Sequence, residues 1–319
     1  MGEFELIRHY FAAAACARAG GEVALGIGDD CALLAVPTGE QLAVSTDTLV
    51  AGVHFPDPCN PYLLGQRALA ISTSDLAGMG ATPIGFTLAL TMPSVDPDWL
   101  AEFARGLDTM AAGCDMRLIG GDTTRGPLSM TLTVFGSVPV GQALLRSGAR
   151  PGHLLCVGGA LGDAAGALPI VLGERQGDTV EGAALLRRYW TPQPQLALGQ
   201  ALRGLATASL DISDGLLADC AHIAVASRVS LCIEQPKLPL SNALLRFAGA
   251  EEAVRCALAG GDDYLLAFTV PASALPGLRD AGWPIHVIGH VAAGEGVQLL
   301  DAEGNALDAD HRGYNHFQA

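Results

Sequence analysis

Along this 319-residue chain, short apolar runs repeatedly end in an aspartate set beside Gly, Ser or Thr. The stretches are Gly28-Asp29-Asp30, Ser45-Thr46-Asp47-Thr48, Ser74-Asp75, Gly120-Gly121-Asp122-Thr123, Asp211-Ile212-Ser213-Asp214-Gly215 and Gly260-Gly261-Asp262-Asp263. The composition has 50% apolar and 16% charged residues, 40 glycines and 18 prolines, and no low-complexity tract. With so many glycines and prolines the turns must be many and tight, which suits a sheet-rich α/β protein. A chain of this length is expected to form two domains of roughly 150 residues each. Two charge-free runs, Leu76–Val95 and Gly126–Leu145, reach membrane-spanning length, yet both are broken by Gly and Pro. The second alternates as a strand does (Leu128, Met130, Leu132, Val134), so both read as core.

Local signals place the elements. Phe4–Arg18 has helical spacing and stops at Gly20-Gly21. Strands are expected at Leu33–Val36 and Gln41–Val50 around a Thr38-Gly39 hairpin turn, and Asn60-Pro61 and Asp96-Pro97 each open a helix. Further strands fall at Gly85–Met92, Met116–Ile119 (ending at Gly120-Gly121-Asp122), Leu128–Val138, Leu154–Val157, Ala208–Ile212, Tyr264–Thr269 and Ile285–Val291. Helices are expected from Gly162-Asp163, after Pro192 and Pro194, and from Asp214. The polar stretch Arg146–Gly152 marks a boundary between domains 1–148 and 149–319. The fold class is therefore α/β with mixed sheets.

Charge narrows the partners. A formal charge of −15, from 33 acidic against 18 basic residues, argues against nucleic acid and anionic membrane. Lys237 is the only lysine and follows a proline, so a phosphate-binding G-x-x-x-x-G-K loop is absent. Phosphate must be met by Arg, backbone N–H groups or metal. Gly26-Ile27-Gly28 lacks the third glycine of a dinucleotide fingerprint, and no H-E-x-x-H or G-x-S-x-G occurs. Eight scattered cysteines without a C-x-x-C pair read as reduced thiols of a cytoplasmic protein, and Glu3 and Glu5 have the wrong sign for a signal peptide.

Taken singly, each aspartate is an ordinary helix cap or turn residue. If the segment ends converge, two carboxylates ~6 Å apart at an effective dielectric of ~20 repel by about 3 kcal/mol, and cations are required. Carboxylates, Thr hydroxyls and phosphate oxygens are the hard donors that Mg²⁺ prefers. His54, just downstream of Asp47, is a candidate ligand contact, and Arg146, at the boundary, is placed to reach phosphate.

In their order along the chain, the segments resemble the thiamine-monophosphate kinase family. The matching stretches run Ile27–Ala32, Ser45–Phe55 (STDTLVAGVHF), Ser74–Ala81, Leu118–Gly126, Arg146–Ala149, Asp211–Leu216 and Gly260–Tyr264. The resemblance implies a two-domain aminoimidazole ribonucleotide synthetase-like fold. Its N-terminal domain would dimerise into a β-barrel, and its C-terminal domain would complete a cleft for ATP and substrate. It implies ATP and thiamine monophosphate as partners of a homodimer, several Mg²⁺ ions, and K⁺ as a further candidate ion. Carried over, Asp30, Ser45, Thr46, Asp47, Asp75, Asp122, Asp211 and Asp214 would bind metal. Gly121, Asp122, Arg146 and Ser213 would contact ATP, and His54, Asp262 and Tyr314 the thiamine part. Asp47, Asp75, Asp122 and Arg146 would be the catalytic set. Two positions depart from the family pattern: Asp262 stands where it usually has Glu, and Tyr314 where it has Trp.

Two other readings compete. A selenophosphate synthetase is expected to carry a reactive Cys and a Lys near the N-terminus; here Cys16 sits in an Ala-rich segment and no N-terminal Lys exists. A non-catalytic metal- or nucleotide-binding protein would leave the His54 segment and Arg146 unexplained. Tyr can stack on a pyrimidine with less area than Trp. Tyr314→Ala is therefore expected to raise KM for the thiamine substrate while leaving KM for ATP nearly unchanged. An equal loss for both substrates in steady-state kinetics would refute that assignment.

Overall fold

The computed structural model describes residues 3–308, with Tyr314 outside them. The chain forms two compact units, residues 1–76 with 81–141, and residues 77–80 with 142–319.

In the first unit, α1 (Glu3–Leu6) is followed by β1 (Val23–Leu25), β2 (Leu33–Leu34), β3 (Glu40–Val50), α2 (Pro61–Gly78), β4 (Thr82–Met92), α3 (Pro97–Cys114), β5 (Arg117–Arg125) and β6 (Ser129–Pro139). The expected helix over Phe4–Arg18 is broken: after α1 the chain makes one wide π turn, Ile7–Phe11, and then a 3₁₀ turn, Ala15–Ala17. Cys16 N–H donates to Asp108 Oδ1 on α3 (2.7 Å), a tertiary bond that a continuous helix would have used internally. The two helix starts read from Asn–Pro and Asp–Pro hold. Asn60 Oδ1 accepts Leu63 N–H, and Asp96 Oδ1 accepts the N–H groups of Asp98 and Trp99.

Strand pairing departs from local expectation. β2 pairs with β1, and β3 pairs along its whole length with β6, so Thr38-Gly39 is a turn between sheets and closes no hairpin. The four-stranded sheet has the order β3-β6-β4-β5, antiparallel except for the parallel β4–β5 pair. Antiparallel register puts Asp47 opposite Leu132 and Thr46 opposite Thr133. Successive residues face opposite sides of a strand, so Ser45, Asp47 and Leu49 share the face of Met130, Leu132, Val134, Phe86, Leu88 and Leu90, all deeply buried. Helices α2 and α3 meet at Gly65 and Gly106, where an added Cβ would lie 2.4 Å from Phe103 O and 2.1 Å from Tyr62 O. The four strands form an open sheet.

In the second unit, β7 (Leu154–Val157), α4 (Asp163–Val171), α5 (Val180–Trp190) and α6 (Leu196–Ala201) lead to β8 (Ala208–Asp211) and α7 (Leu216–Ser227). The chain continues through β9 (Ser230–Glu234), α8 (Asn242–Ala248), α9 (Ala250–Ala259), β10 (Leu266–Val270), α10 (Leu275–Asp280), β11 (His286–Ala292), β12 (Gly296–Leu300) and β13 (Ala306–Leu307). The sheet order is β13-β12-β9-β11-β7-β10-β8, with β8 at one edge. One core cluster joins this sheet to α7 through Leu210, Ile212, Leu216, Leu217, Cys220 and Ile223. Among the described residues no helix is long and apolar enough to cross a membrane. All eight cysteines are free, and Cys31 is the exposed one.

Candidate active-site residues

Each unit contributes its own group of polar residues. In the first, Ser45 and Asp47 lie two residues apart on one face of β3, and Asp75 lies near the C-terminus of α2. The Ser45 hydroxyl donates to Asp75 Oδ2. Burial, and then the negative charge of Asp75, push the Asp47 carboxyl up to about 6, while a hydrogen bond from Ser72 opposes the shift. The Ser72 and Thr73 hydroxyls also lie against the carbonyls of Ala68 and Leu69, so the single Ser72 proton serves either Ala68 O or Asp47. Thr46 faces the other side of the sheet, where its Oγ1 pairs with Thr133 Oγ1 at 2.9 Å. Its side chain is thus separated from those of Ser45 and Asp47.

His54 follows in the turn after β3. Its Nδ1 accepts Val50 N–H at 3.0 Å, so the neutral ring carries its proton on Nε2.

A cavity of about 720 Å³ is lined by Arg8, Asp29, Asp30, Gly120, Gly121 and Asp122, among others. Here β5 runs on to Arg125, so Gly120-Gly121-Asp122 lies inside the strand instead of ending it. Gly121 has φ +153°, and a Cβ there would stand 1.9 Å from Leu88 O, which only glycine avoids. Asp29 Oδ1 accepts Asp30 N–H at 2.9 Å, which ties Asp29 into the turn. Asp122 and Asp47 sit on the two edge strands, with β6 and β4 between them. Three strand spacings put β3 and β5 about 14 Å apart. The first unit therefore holds two acidic groups, Ser45/Asp47/Asp75 and Asp29/Asp30/Asp122. Among the described residues no set of three or more His, Cys, Asp or Glu is gathered as a ready metal site.

In the second unit, two loops carry the candidates. Asp211 ends β8, and Ser213 and Asp214 follow. The Gly260–Tyr264 segment is zipped to them: Asp262 N–H donates to Ser213 O (2.9 Å) and Tyr264 N–H to Ile212 O (2.8 Å). Asp262 (φ +66°) and Tyr264 (φ +49°) both hold left-handed backbone, and Tyr264 OH donates to Asp262 Oδ1 at 2.9 Å. Such strain persists only where surrounding contacts enforce it. Arg146 has an exposed side chain on an anchored backbone. Ser227 Oγ donates to its carbonyl and accepts the N–H groups of Gly148 and Ala149, all at 3.1 Å.

Three further carboxylates were given no site role from the sequence, and Asp219 was not singled out there at all. Asp219 accepts three N–H groups of the Ser213–Gly215 loop, and burial nevertheless pushes it up to about 7. Asp263 accepts Gly162 N–H with both oxygens at 3.0 Å, and its burial raises it well above the usual carboxylate range. Asp163 accepts Ser241 Oγ at 2.6 Å and pairs with Arg188. Their one sequence signal was an aspartate interrupting an apolar helix or strand start.

The matched family model is "AIR synthase related protein, N-terminal domain", over residues 28–138. A thiamine-monophosphate kinase of Escherichia coli K12 is 48% identical over 99% of this chain and 98% of its own length. The crystal structure of a thiamine-monophosphate kinase from Stenotrophomonas maltophilia K279a superposes with TM-score 0.83 at 44% identity, covering 90% of this chain and 92% of that one. AaThiL, complexed with AMPPCP and TMP, superposes with TM-score 0.80 at 30% identity, covering 91% and 92%.

The Asp47 shift has a stability consequence. A carboxyl whose folded pKa is raised contributes stability below its unfolded pKa of about 3.9, and that contribution is lost as pH rises through about 6. Above that range, ionised Asp47 costs the metal-free fold about 3 kcal/mol relative to its protonated form. Asp47→Asn is thus expected to melt several degrees higher than wild type at pH 8 in chelator, with the gap closing by pH 4. A gap that is constant with pH in calorimetry would refute this.

Proposed function

The chain belongs to the thiamine-monophosphate kinase family, and on that premise we propose that it moves the γ-phosphoryl group of ATP directly onto the phosphate of thiamine monophosphate, giving thiamine diphosphate and ADP. It is a kinase. The observation that carries the mechanism is the Asp47–Asp75 pair: two carboxylates share one partly desolvated face with a serine hydroxyl. The acceptor is a phosphate monoester whose second pKa is about 6, so it is already mostly ionised at neutral pH. No side chain has to remove a proton from it. The barrier is repulsion between two polyanions, and the site's task is to lower that repulsion and align the reacting oxygens.

The donor set of carboxylates and hydroxyls fits Mg²⁺, a hard cation that favours oxygen ligands. Ser45, Asp47 and Asp75 would hold ions on one side of the sheet, and Asp30 and Asp122 would hold them at the cavity; Asp211 and Asp214 offer the same oxygens in the second unit. Thr46 would contribute through its backbone, its hydroxyl being directed to the other face. When bound, Mg²⁺ supplies the positive charge that cancels phosphate charge. The N–H groups around Gly121, together with the Ser213 hydroxyl and the Arg146 guanidinium, would orient phosphate oxygens. His54, Asp262 and Tyr314 would meet the thiamine moiety. Neutral His54 would present Nε2–H as a donor. The zipped loop would fix Asp262 and offset its shorter reach compared with Glu.

Incubation with ATP, Mg²⁺ and thiamine monophosphate is expected to give thiamine diphosphate and ADP in equal amounts. Asp→Asn at Asp47, Asp75 or Asp122 should lower kcat at least a hundredfold, on the order of the losses seen when an electrostatic stabiliser is removed. Absence of thiamine diphosphate would overturn the assignment, and near-normal rates for all three variants would overturn the metal role.

The same family premise carries a homodimer joined through the open sheet. β3 is an edge strand, and on its Thr46 face Leu42 and Val44 are 44% and 54% exposed. A long edge strand with exposed aliphatic residues invites pairing with another strand, and a second copy would close the sheet towards a barrel. Light scattering should give twice the chain mass, and Val44→Glu should give a monomer. A monomeric wild type would refute the dimer. The free thiols and the need for ATP fit a cytoplasmic setting.

A further inference from the structure

Asp219 lies in the first turn of α7, among Leu216, Leu217, Cys220 and Ile223, and is 4% exposed. A helix start is ordinarily capped by a side chain at the residue before it, reaching forward to the free N–H groups. Gly215 holds that position and has no side chain to offer. A carboxylate from inside the helix reaches backward in its place. Asp219 Oδ2 accepts the N–H groups of Ser213 (3.0 Å), Asp214 (3.0 Å) and Gly215 (3.1 Å), and its own N–H donates to Gly215 O (2.9 Å). Consecutive N–H groups converging on one point form an anion-binding concavity. Here the protein fills it with its own carboxylate, so these N–H groups are committed to holding the loop's shape.

The loop is gripped from its other side as well. Its carbonyls at Ile212 and Ser213 accept the N–H groups of Tyr264 and Asp262. Gly261 permits that approach, since a Cβ there would stand 2.3 Å from Ser213 O. With N–H groups held on one side and carbonyls on the other, the Ile212–Gly215 backbone is pinned from both sides, and it sets where the Cβ atoms of Ser213 and Asp214 stand.

We infer that Asp219 is a positioning residue for the nucleotide half of the reaction. It fixes the backbone from which the Ser213 hydroxyl and the Asp214 carboxylate act. This rests on the reading of those two residues as ATP and metal contacts. A carboxylate that merely capped α7 would affect melting and nothing specific to one substrate.

The test is steady-state kinetics of Asp219→Asn and Ser213→Ala, with ATP and thiamine monophosphate varied separately and melting temperature measured alongside. Displacement of catalytic contacts by about 1 Å can cost up to a hundredfold. Asp219→Asn is expected to raise KM for ATP about tenfold or more while KM for thiamine monophosphate stays within about twofold. Should Asp219→Asn not fold, Asp219→Glu, which keeps the charge but misplaces it, is expected to show the same split. A parallel rise in both KM values, or a lower melting temperature with KM for ATP unchanged, overturns the inference. If Ser213→Ala raises KM for ATP and the Asp219 variant does not, the positioning role fails alone. If neither does so in an active enzyme, the ATP reading of the loop fails with it.

Discussion

The arrangement depends on one unfavourable combination: Asp47 held on a partly desolvated face, with the charge of Asp75 close enough to raise it further. Like charges held this close tend to separate or to take up a proton, and the local architecture is what resists the first outcome. β3 is pinned to β6 along its full length. Thr46–Thr133 and Thr48–Thr131 hydroxyl pairs reinforce that register on the opposite face. α2 is locked against α3 through the glycine contact at Gly65 and Gly106, which brings backbones to a separation that any side chain would prevent. A rigid scaffold of this kind can store repulsion that a mobile surface would dissipate. Under the proposed function that repulsion would have a use, since it would favour the binding of positive charge and, through it, phosphate.

The second unit sets two of its aspartates against backbone N–H donors. Asp219 and Asp263 both face backbone N–H groups, and those dipoles offset only part of the desolvation, so both carboxyls stay raised above the usual carboxylate range. The outcome is two loops of fixed shape, Ile212–Gly215 and Gly260–Tyr264, zipped by main-chain bonds and held from behind by side chains. Neighbours in sequence differ in what they meet: Asp262 accepts the Tyr264 hydroxyl, and Asp263 accepts the Gly162 N–H.

Much of the element pattern was legible because it rests on local physics. The starts of α2 and α3 followed from Asn–Pro and Asp–Pro, where the cap residue and a proline at the first helical position act within one turn. β6 followed from strict alternation, and the two long apolar runs proved to be core strands with a helix end. The hairpin expected at Thr38-Gly39 failed because turn chemistry fixes where the chain reverses and leaves the partner strand open; the partner of β3 lies about 90 residues away. Phe4–Arg18 failed because the Cys16–Asp108 bond offered the backbone a tertiary partner. The end assigned to β5 at Gly120-Gly121 failed for a related reason. Glycine ordinarily breaks a strand, but here it is the residue that allows close approach to Leu88.

The candidate site divides along the same line. Sequence alone determined which residue types are available: aspartates beside small hydroxyl or glycine neighbours, an arginine at the expected domain boundary, and a chain without the lysine of a P-loop. Those facts pointed to hard cations and phosphate. Only the tertiary structure decided how the carboxylates are distributed. It set Asp47 against Asp75, put Asp122 across the sheet near Asp30, turned Thr46 to the other face, and withdrew Asp219 and Asp263 into supporting roles. The reason is that a carboxylate's role depends on what surrounds it in space. Burial, a second carboxylate and a set of N–H donors act over a few ångströms, across residues that may be a hundred positions apart in sequence.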